Sequence, residues 1–102
     1  MIFKTKNSKT VEAHKKITLW EPTLGVRFEV RGWSISCDTD VHVVLKDGEE
    51  NIFGSHLKAY VPWVVNLILE GYLSQQKDQK LTLHNQNSAD LVITANVWGD
   101  EK

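Results

Sequence analysis

The chain has one cysteine in 102 residues, so no disulfide can form within it. Cys37 falls on the apolar side of a strand-like stretch, and a lone inward thiol is typical of a reducing compartment. No apolar run approaches the roughly 20 residues that span a bilayer, and residues 1–6 lack the apolar stretch of a signal peptide. We therefore expect a cytoplasmic protein that does not contact a membrane.

Catalytic and cofactor motifs are also lacking. There is no Gly-rich phosphate loop and no nucleophile elbow. None of the four histidines has the i, i+2 or i, i+4 spacing that would place two of them on one metal ion. We expect no cofactor, no metal and no enzymatic activity. One enzymatic alternative stays open, because His14, His84 and an N-terminal lysine are the residue types that cleave RNA by acid–base catalysis.

The composition is that of one globular domain over residues 1–102, with 41% hydrophobic residues and no repeat or linker. A chain of this length buries roughly 65% of its unfolded surface. The net charge of −1 is unevenly distributed: five lysines and one glutamate give residues 1–16 a charge of +4. Five acids and one lysine give residues 38–50 a charge of −4. Such asymmetry influences which partners approach.

Alternation of apolar and polar residues predicts strands along most of the chain. Apolar residues alternate over 26–30 and again over 33–37, but the apolar face inverts at Gly32. Because side chains on a strand have a period of two, keeping one face buried requires an extra residue or a bend, and we expect a β-bulge at Gly32. Similar patterns predict strands over residues 11–20, 41–45, 52–53, 80–84 and 91–98, with a tight turn at Asp47–Gly48.

From Val61 onward the apolar period changes. Pro62 suits the first turn of a helix, and apolar residues from Trp63 to Tyr72 recur at helical spacing. This pattern predicts a helix over about 62–76 that is buried on more than one side. The expected fold class is therefore α+β, a curved antiparallel sheet or half-open sandwich of about six strands with one helix packed on a face.

The four tryptophans could supply a binding site. Trp33 and Trp63 fall on predicted apolar faces, whereas Trp20 and Trp98 lie at strand ends on the opposite side. Exposed aromatics at strand ends stack on sugars or anchor protein interfaces, although packing in the core or at the strand end is the favoured interpretation. A carbohydrate- or ligand-binding domain is thus one alternative. Nucleic-acid binding is disfavoured, because the lysine-rich positions 1–16 are not interleaved with aromatics.

The acids of residues 38–50 allow three interpretations. They form a solvated loop, or Asp38, Asp40 and Asp47 bind calcium without the usual loop pattern, or the acids complement a basic partner. Clustered acids beside an aromatic can occupy a cationic cleft that otherwise holds a phosphate backbone, as nuclease inhibitors do. In the third interpretation the predicted partner-binding residues are Asp38, Asp40, Asp47, Glu49 and Glu50, with Trp33 or Trp98 as an anchor.

Aromatic, glycine and turn residues between Trp20 and Tyr72 suggest a family. They are Trp20, Gly25, Gly32–Trp33, Asp47–Gly48, Gly54, Tyr60–Val61–Pro62 and Gly71–Tyr72. With the acidic stretch, they make the chain resemble bacterial immunity proteins, including those that guard against contact-dependent growth-inhibition toxins. The resemblance implies a tight one-to-one complex with a basic toxin domain, a nuclease in its most concrete form, and a monomer or weak dimer when free.

Overall fold

The computed structural model describes residues 1–102, and all of its regular secondary structure is β-strand. The chain forms nine strands. They are β1 (Ile2–Val11), β2 (Lys16–Trp20), β3 (Phe28–Cys37), β4 (Val41–Asp47), β5 (Glu50–Leu57), β6 (Trp63–Asn66), β7 (Tyr72–Leu73), β8 (Leu81–Asn85) and β9 (Leu91–Glu101).

The strands form two sheets in which every pairing is antiparallel. The first sheet has the order β1-β9-β3-β6, and β7 pairs with β3 beside β6. The second sheet has the order β2-β8-β4-β5. Strands β3 and β9 lie at the centre of the first sheet, and β8 and β4 at the centre of the second. The terminal strands are therefore β1 and β6 in one sheet and β2 and β5 in the other.

The two sheets enclose a single core made of the alternate apolar residues that the sequence pattern identifies. Trp33 at its centre is fully buried, and its ring centroid lies 4.7 Å from that of Phe53 and 5.3 Å from that of Trp63. Cys37 is also buried, as predicted. Other core side chains come from the central strands of both sheets, and they include Phe28, Val30, Ile35, Val43, Leu45, Leu81, Leu83, Ile93, Ala95 and Val97.

The predicted bulge at Gly32 is confirmed. On the partner strand β9, Val30 is opposite Gly99, and Gly32 is opposite the next position, Trp98. Arg31 is therefore the extra residue of β3. The insertion restores the inward direction for the apolar residues that follow, which keeps both halves of β3 facing the same core.

The expected α+β class and the helix over 62–76 are wrong. Residues 63–66 form the strand β6 and residues 72–73 form β7, and both pair with β3. Within β6 the half-buried Trp63 and Val65 alternate with the exposed Val64 and Asn66, so the strand period is present. The alternation is not visible in the sequence because some exposed positions are apolar too. In such a continuous apolar run, periodicity does not distinguish a helix from a strand.

Two further sequence expectations need correction. The predicted strand over residues 11–20 is two strands, because the chain turns at Ala13–His14 between β1 and β2. Strand β1 was not predicted, because its sequence does not alternate between apolar and polar residues. Lys4 and Lys6 occupy positions that face the same way as the apolar Ile2. The predicted turn at Asp47–Gly48 is confirmed as the connection between β4 and β5. No helix of the kind that crosses a membrane is present.

Candidate functional site

The most exposed apolar part of the molecule is the segment from residue 60 to residue 69, here called the apolar edge. Five of its large apolar side chains are between 56% and 98% exposed. They are Tyr60, Val61, Val64, Ile68 and Leu69. Single exposed apolar residues are ordinary on protein surfaces, but contiguous exposed apolar stretches mark interaction sites. The apolar edge is therefore the first candidate for a binding surface.

Strand β6 fixes the backbone of the apolar edge. Its half-buried Trp63 and Val65 pack against the core, and Leu67 N donates to Arg31 O at 2.7 Å. In an antiparallel pair, residues whose N–H and C=O groups point at the partner alternate with residues whose groups point away. Since the backbone N–H of Leu67 points at β3, the backbone groups of Val65 and Trp63 do so too. The backbone groups of Val64 and Asn66 therefore point outward from the sheet.

Two exposed acids, here called the Asp38 corner, lie where the chain enters the apolar edge. Asp40 Oδ1 accepts a hydrogen bond of 2.9 Å from Ala59 N, directly before Tyr60. Asp38 Oδ1 accepts a bond of 2.9 Å from Val92 N, and Asp38 lines the same surface hollow as Tyr60. One carboxylate oxygen of each acid is thus used by the backbone. Both carboxylates stay at the surface beside the first residues of the apolar edge.

The Glu49 corner, which consists of Glu49 and Glu50, lies beside the segment that follows β7. Glu49 is exposed in the turn between β4 and β5, and Glu50 is the exposed first residue of β5. They line an open hollow of about 450 Å³ together with Asp47, Gln75 and Gln79. The Asp38 corner thus adjoins the start of the apolar edge, and the Glu49 corner adjoins the chain beyond its end.

Asp47 does not belong to this surface, although the sequence analysis grouped it with the exposed acids. Only 2% of Asp47 is exposed. Its carboxylate accepts hydrogen bonds from Tyr72 Oη at 2.7 Å, from Gln75 N at 2.9 Å and from Gln79 Nε2 at 2.6 Å. These donors come from the segment that follows the apolar edge, so Asp47 holds that segment in place. We assign it a structural role.

The acidic stretch of the sequence is therefore not one cluster. Asp38 and Asp40 precede β4 and Asp47 ends it, and a strand of seven residues spans roughly 23 Å. The calcium interpretation needed Asp38, Asp40 and Asp47 together, and the fold separates them. No group of three or more His, Cys, Asp or Glu side chains is arranged to hold a metal ion. What remains exposed is one pair of acids at each corner.

The tryptophans divide differently from the sequence expectation. Trp33 is fully buried and is not available as a partner anchor. Trp20 is fully buried as well, and its Nε1 donates to Glu101 Oε1 at 3.1 Å, which removes it from a sugar-binding platform. Trp98 is half-buried on the outer face of the first sheet, opposite the exposed Phe3 on β1. Of the predicted aromatic anchors, only Trp98 is accessible.

Trp98 lies over Gly32, the glycine of the bulge. A Cβ at Gly32 would be 2.5–2.6 Å from three atoms of the indole. Because Gly32 has no side chain, the indole of Trp98 can pack directly against the backbone of β3. Around it on the same face are Thr5, Ser34 and Asn96, which are opposite one another across β1, β9 and β3. The result is an aromatic surface with small polar neighbours.

The histidines proposed for RNA cleavage do not contact each other. His84 on β8 lies 3.1 Å from Thr82 Oγ1 through its Nε2, and its pKa is lowered by burial and by the nearby Lys46 and Lys16. His14 lies in the turn after β1, and neither a hydrogen bond nor a ring contact joins it to His84.

A different histidine pair stacks across strands. The rings of His42 on β4 and His56 on β5 are 4.4 Å apart and lie within 20° of parallel. They border an open groove of about 350 Å³ with Asp40, Lys58 and Asn87. Stacked rings do not converge their nitrogen atoms on a common point, so the pair does not form a metal site. The sequence spacing of 14 residues between these histidines carried no signal for this contact.

Sequence reasoning missed the apolar edge because it assigned the segment to a buried helix. The one signal that favoured a strand was the concentration of β-branched and aromatic residues between Val61 and Val65. Comparison with protein-family models and with curated protein sequences finds no match to this chain.

Proposed function

We propose that this chain is an inhibitory binding protein, most concretely an immunity protein that neutralises a basic toxin domain by forming a one-to-one complex. The observation that carries the proposal is the apolar edge, an exposed apolar segment with the Asp38 corner at its start and the Glu49 corner beside the chain that follows it. Protein interfaces combine a desolvated apolar centre with a polar rim, and the apolar edge with its neighbouring acids has this composition.

The charge of the corners selects the partner. Acids that flank an apolar centre attract a basic partner, speed its approach and disfavour acidic competitors. A nuclease fits this requirement, because the cleft in which it holds a phosphate backbone is cationic. The proposed contacts are therefore Asp38, Asp40, Glu49 and Glu50 at the rim, with Ile68 and Leu69 at the centre. Trp98 remains a proposed anchor on the adjoining face.

The proposed compartment is the cytoplasm. Cys37 is buried, and this burial raises the pKa of its thiol. The hydrogen bond from the thiol to Thr39 O acts in the opposite direction but is the weaker effect. A thiol with a raised pKa stays protonated and reacts slowly. The cysteine thus acts as a small core residue, and the fold does not depend on an oxidising environment.

A tagged form of the chain, expressed in its own cells, tests the proposal. We expect one basic protein to be recovered with it, identified by mass spectrometry and shown by light scattering to form a one-to-one complex. Stoichiometric addition of the chain should abolish the toxic activity of that protein, measured as nucleic-acid degradation for a nuclease. A partner that is acidic, or that keeps its full activity in the complex, would contradict the proposal.

The surface is tested with Ile68→Lys and Leu69→Lys. Both side chains project from the apolar edge at 84% and 98% exposure, so neither change should alter the fold. The matched control is Leu24→Lys, at an apolar residue that is 87% exposed in the loop between β2 and β3. We expect the two edge variants to weaken the complex strongly and the control to leave it intact. Equal effects of all three would place the interface elsewhere.

A second candidate function is favoured by Trp98. The half-exposed indole over Gly32, with polar neighbours on the same face, has the form of a platform on which a sugar ring stacks. Titration with a panel of oligosaccharides should then shift the tryptophan fluorescence of the wild type, and Trp98→Ala should abolish the shift. Because Trp20 and Trp33 are buried, any change would report Trp98 or Trp63. A flat titration across the panel rejects this candidate.

A further inference from the structure

The four terminal strands of the two sheets are not protected equally. Strand β1 is irregular between Lys6 and Lys9, and β2 is irregular between Thr18 and Trp20. Strand β5 carries an extra residue between its Asn51 and Phe53. Bulges and lysines of this kind keep a free sheet edge from pairing with another chain. Three of the four edges therefore carry a feature that discourages strand addition.

Strand β6 is short, at four residues, but it carries neither a bulge nor a lysine. Its pairing with β3 runs without a shift from Trp63 to Asn66, and none of its four residues is charged. The backbone N–H and C=O groups of Val64 and Asn66 point away from β3, as the hydrogen bond at Leu67 requires. The side chain of Val64 is 61% exposed beside them. This edge offers a regular, uncharged set of donors and acceptors next to an apolar surface.

We infer that β6 is the edge to which the partner adds an extended strand, whose backbone pairs with Val64 and Asn66. The inference rests on the proposed function and specifies its binding mode. Strand addition draws affinity from main-chain hydrogen bonds and specificity from alternate side chains. The added strand places an apolar side chain beside Val64, and it carries a basic residue at the end that meets the Asp38 corner.

The charges also disfavour a second copy of the chain as the occupant. Strand β6 carries no basic residue, so a second copy of it offers no charge that attracts the Asp38 corner. A partner strand with a basic end gains that attraction. We therefore expect the free chain to be monomeric in light scattering.

The binding mode is tested on the chain alone with a peptide probe. The probe is acetylated and amidated Lys-Val-Thr-Val-Thr-Val-Lys, and the controls are the same peptide with glutamate at both ends and the same peptide with its central residues N-methylated. We expect the basic probe, at millimolar concentration, to slow hydrogen exchange of the Val64 and Asn66 amides about 10-fold, as one added hydrogen bond per amide predicts. Neither control should slow exchange. Equal protection by the N-methylated peptide, protection confined to β1, or no protection by any peptide would overturn the inference.

A second variant separates the binding mode from the function. Val64→Pro removes an N–H that points outward, so it leaves the ladder between β6 and β3 intact, and Val64→Thr keeps that N–H at similar side-chain size. We expect Val64→Pro to weaken the captured complex about 10- to 100-fold, and Val64→Thr to weaken it far less. A folded Val64→Pro chain that binds its partner like the wild type would disprove strand addition but leave the inhibitory function standing. If the wild type captures no basic partner, the function itself is wrong, whatever the probe does. If Val64→Pro does not fold, the exchange experiment on the wild type decides.

Discussion

Tyr72 on β7 donates a hydrogen bond of 2.7 Å to Asp47 on β4, and this contact joins the two sheets next to the Glu49 corner. Burial, and then the bond to the carboxylate, raise the pKa of Tyr72 well above its ordinary value. The raised pKa keeps the phenol protonated and able to donate at neutral pH. Asp47 accepts two further bonds from the same segment, so the chain that follows the apolar edge is held by a single buried acid.

The first prediction concerns this buried acid. Tyr72→Phe should lower the free energy of unfolding by about 1–3 kcal/mol, because a hydrogen bond to a charged group is lost. Asp47→Ala should lower it by about 3–5 kcal/mol, since three donors lose their acceptor. Glu49→Gln, at an exposed acid two residues away, is the control and should stay within about 0.5 kcal/mol. Urea unfolding measures all three, and an Asp47→Ala variant as stable as the control would show that Asp47 is a surface acid after all.

The second prediction concerns the contact between Gly32 and Trp98. A Cβ at Gly32 would overlap the indole, so Gly32→Ala should displace the ring and lower the free energy of unfolding by about 1–3 kcal/mol. Gly54→Ala is the matched control, because a Cβ there meets other atoms at 3.5–3.8 Å, an ordinary contact distance. In the Trp98→Ala background, Gly32→Ala should lose most of its effect. A double-mutant cycle with a coupling energy near zero would contradict the contact.

The bulge and the helix show where sequence reasoning succeeds and where it stops. The inversion of the apolar face at Gly32 indicated the bulge, because keeping both halves of β3 in one core requires an extra residue or a bend, and the structure has the extra residue. The apolar run after Val61 could not be interpreted in the same way. Its exposed members are apolar as well, and a surface used for binding breaks the rule that outward residues are polar. The failure of the helix prediction therefore coincides with the candidate site.

The acids show a second limit. Asp47 is close to Glu49 and Asp38 in the sequence, but strand β4 holds Asp38 and Asp47 at its opposite ends. Whether each acid is buried depends on which side chains from other parts of the chain contact it. The donors to Asp47 come from residues 72, 75 and 79, more than 20 positions away. No local pattern signals such a contact. The exposure of Glu49 and Glu50, by contrast, follows from their place in and directly after a tight turn, which the sequence did predict.

The third prediction concerns the acid limit of stability. Burial alone would raise the pKa of Glu101, but hydrogen bonds from Trp20 Nε1 and Thr23 N outweigh it, and the pKa is lowered. A carboxyl with a lowered pKa in the folded state stabilises the fold above its unfolded pKa, and this contribution is lost as the pH falls through the folded value. The wild type should therefore lose stability once the pH drops below about 4.5, which is the ordinary pKa of a glutamate.

Glu101→Gln tests this assignment because it keeps an acceptor for Trp20 but removes the titration. The variant should be less stable than the wild type at pH 7, and the difference should shrink as the pH falls from 4.5 toward 2. Thermal unfolding at a series of pH values measures it. Glu70→Gln, at an exposed acid between β6 and β7 that forms no ion pair, is the control and should keep the wild-type slope. A Glu101→Gln variant with the same slope as the wild type would show that Glu101 does not contribute to the acid transition.

The fourth prediction concerns association with the captured partner. If the two acidic corners steer a basic partner, the association rate should fall steeply as salt rises from 0.1 M to 1 M, since the Debye length shrinks from about 10 Å to about 3 Å. The dissociation rate should change little, because rim charges act mainly on the approach of the two proteins. Surface plasmon resonance at the two ionic strengths measures both rates.

Neutralisation of single acids shows which charges act. Asp38→Asn and Asp40→Asn keep the oxygens that accept from Val92 N and Ala59 N, so the loops should stay in place while one charge is lost. We expect these two variants, together with Glu49→Gln and Glu50→Gln, to slow association about two- to five-fold each, as shares of a total steering effect of 10- to 1000-fold. The control is Glu12→Gln, an exposed acid between β1 and β2 that belongs to neither corner, and it should leave the rate unchanged. An association rate that ignores salt and all four neutralisations would mean that the partner is held by the apolar edge alone, and the proposed selection for a basic partner would be wrong.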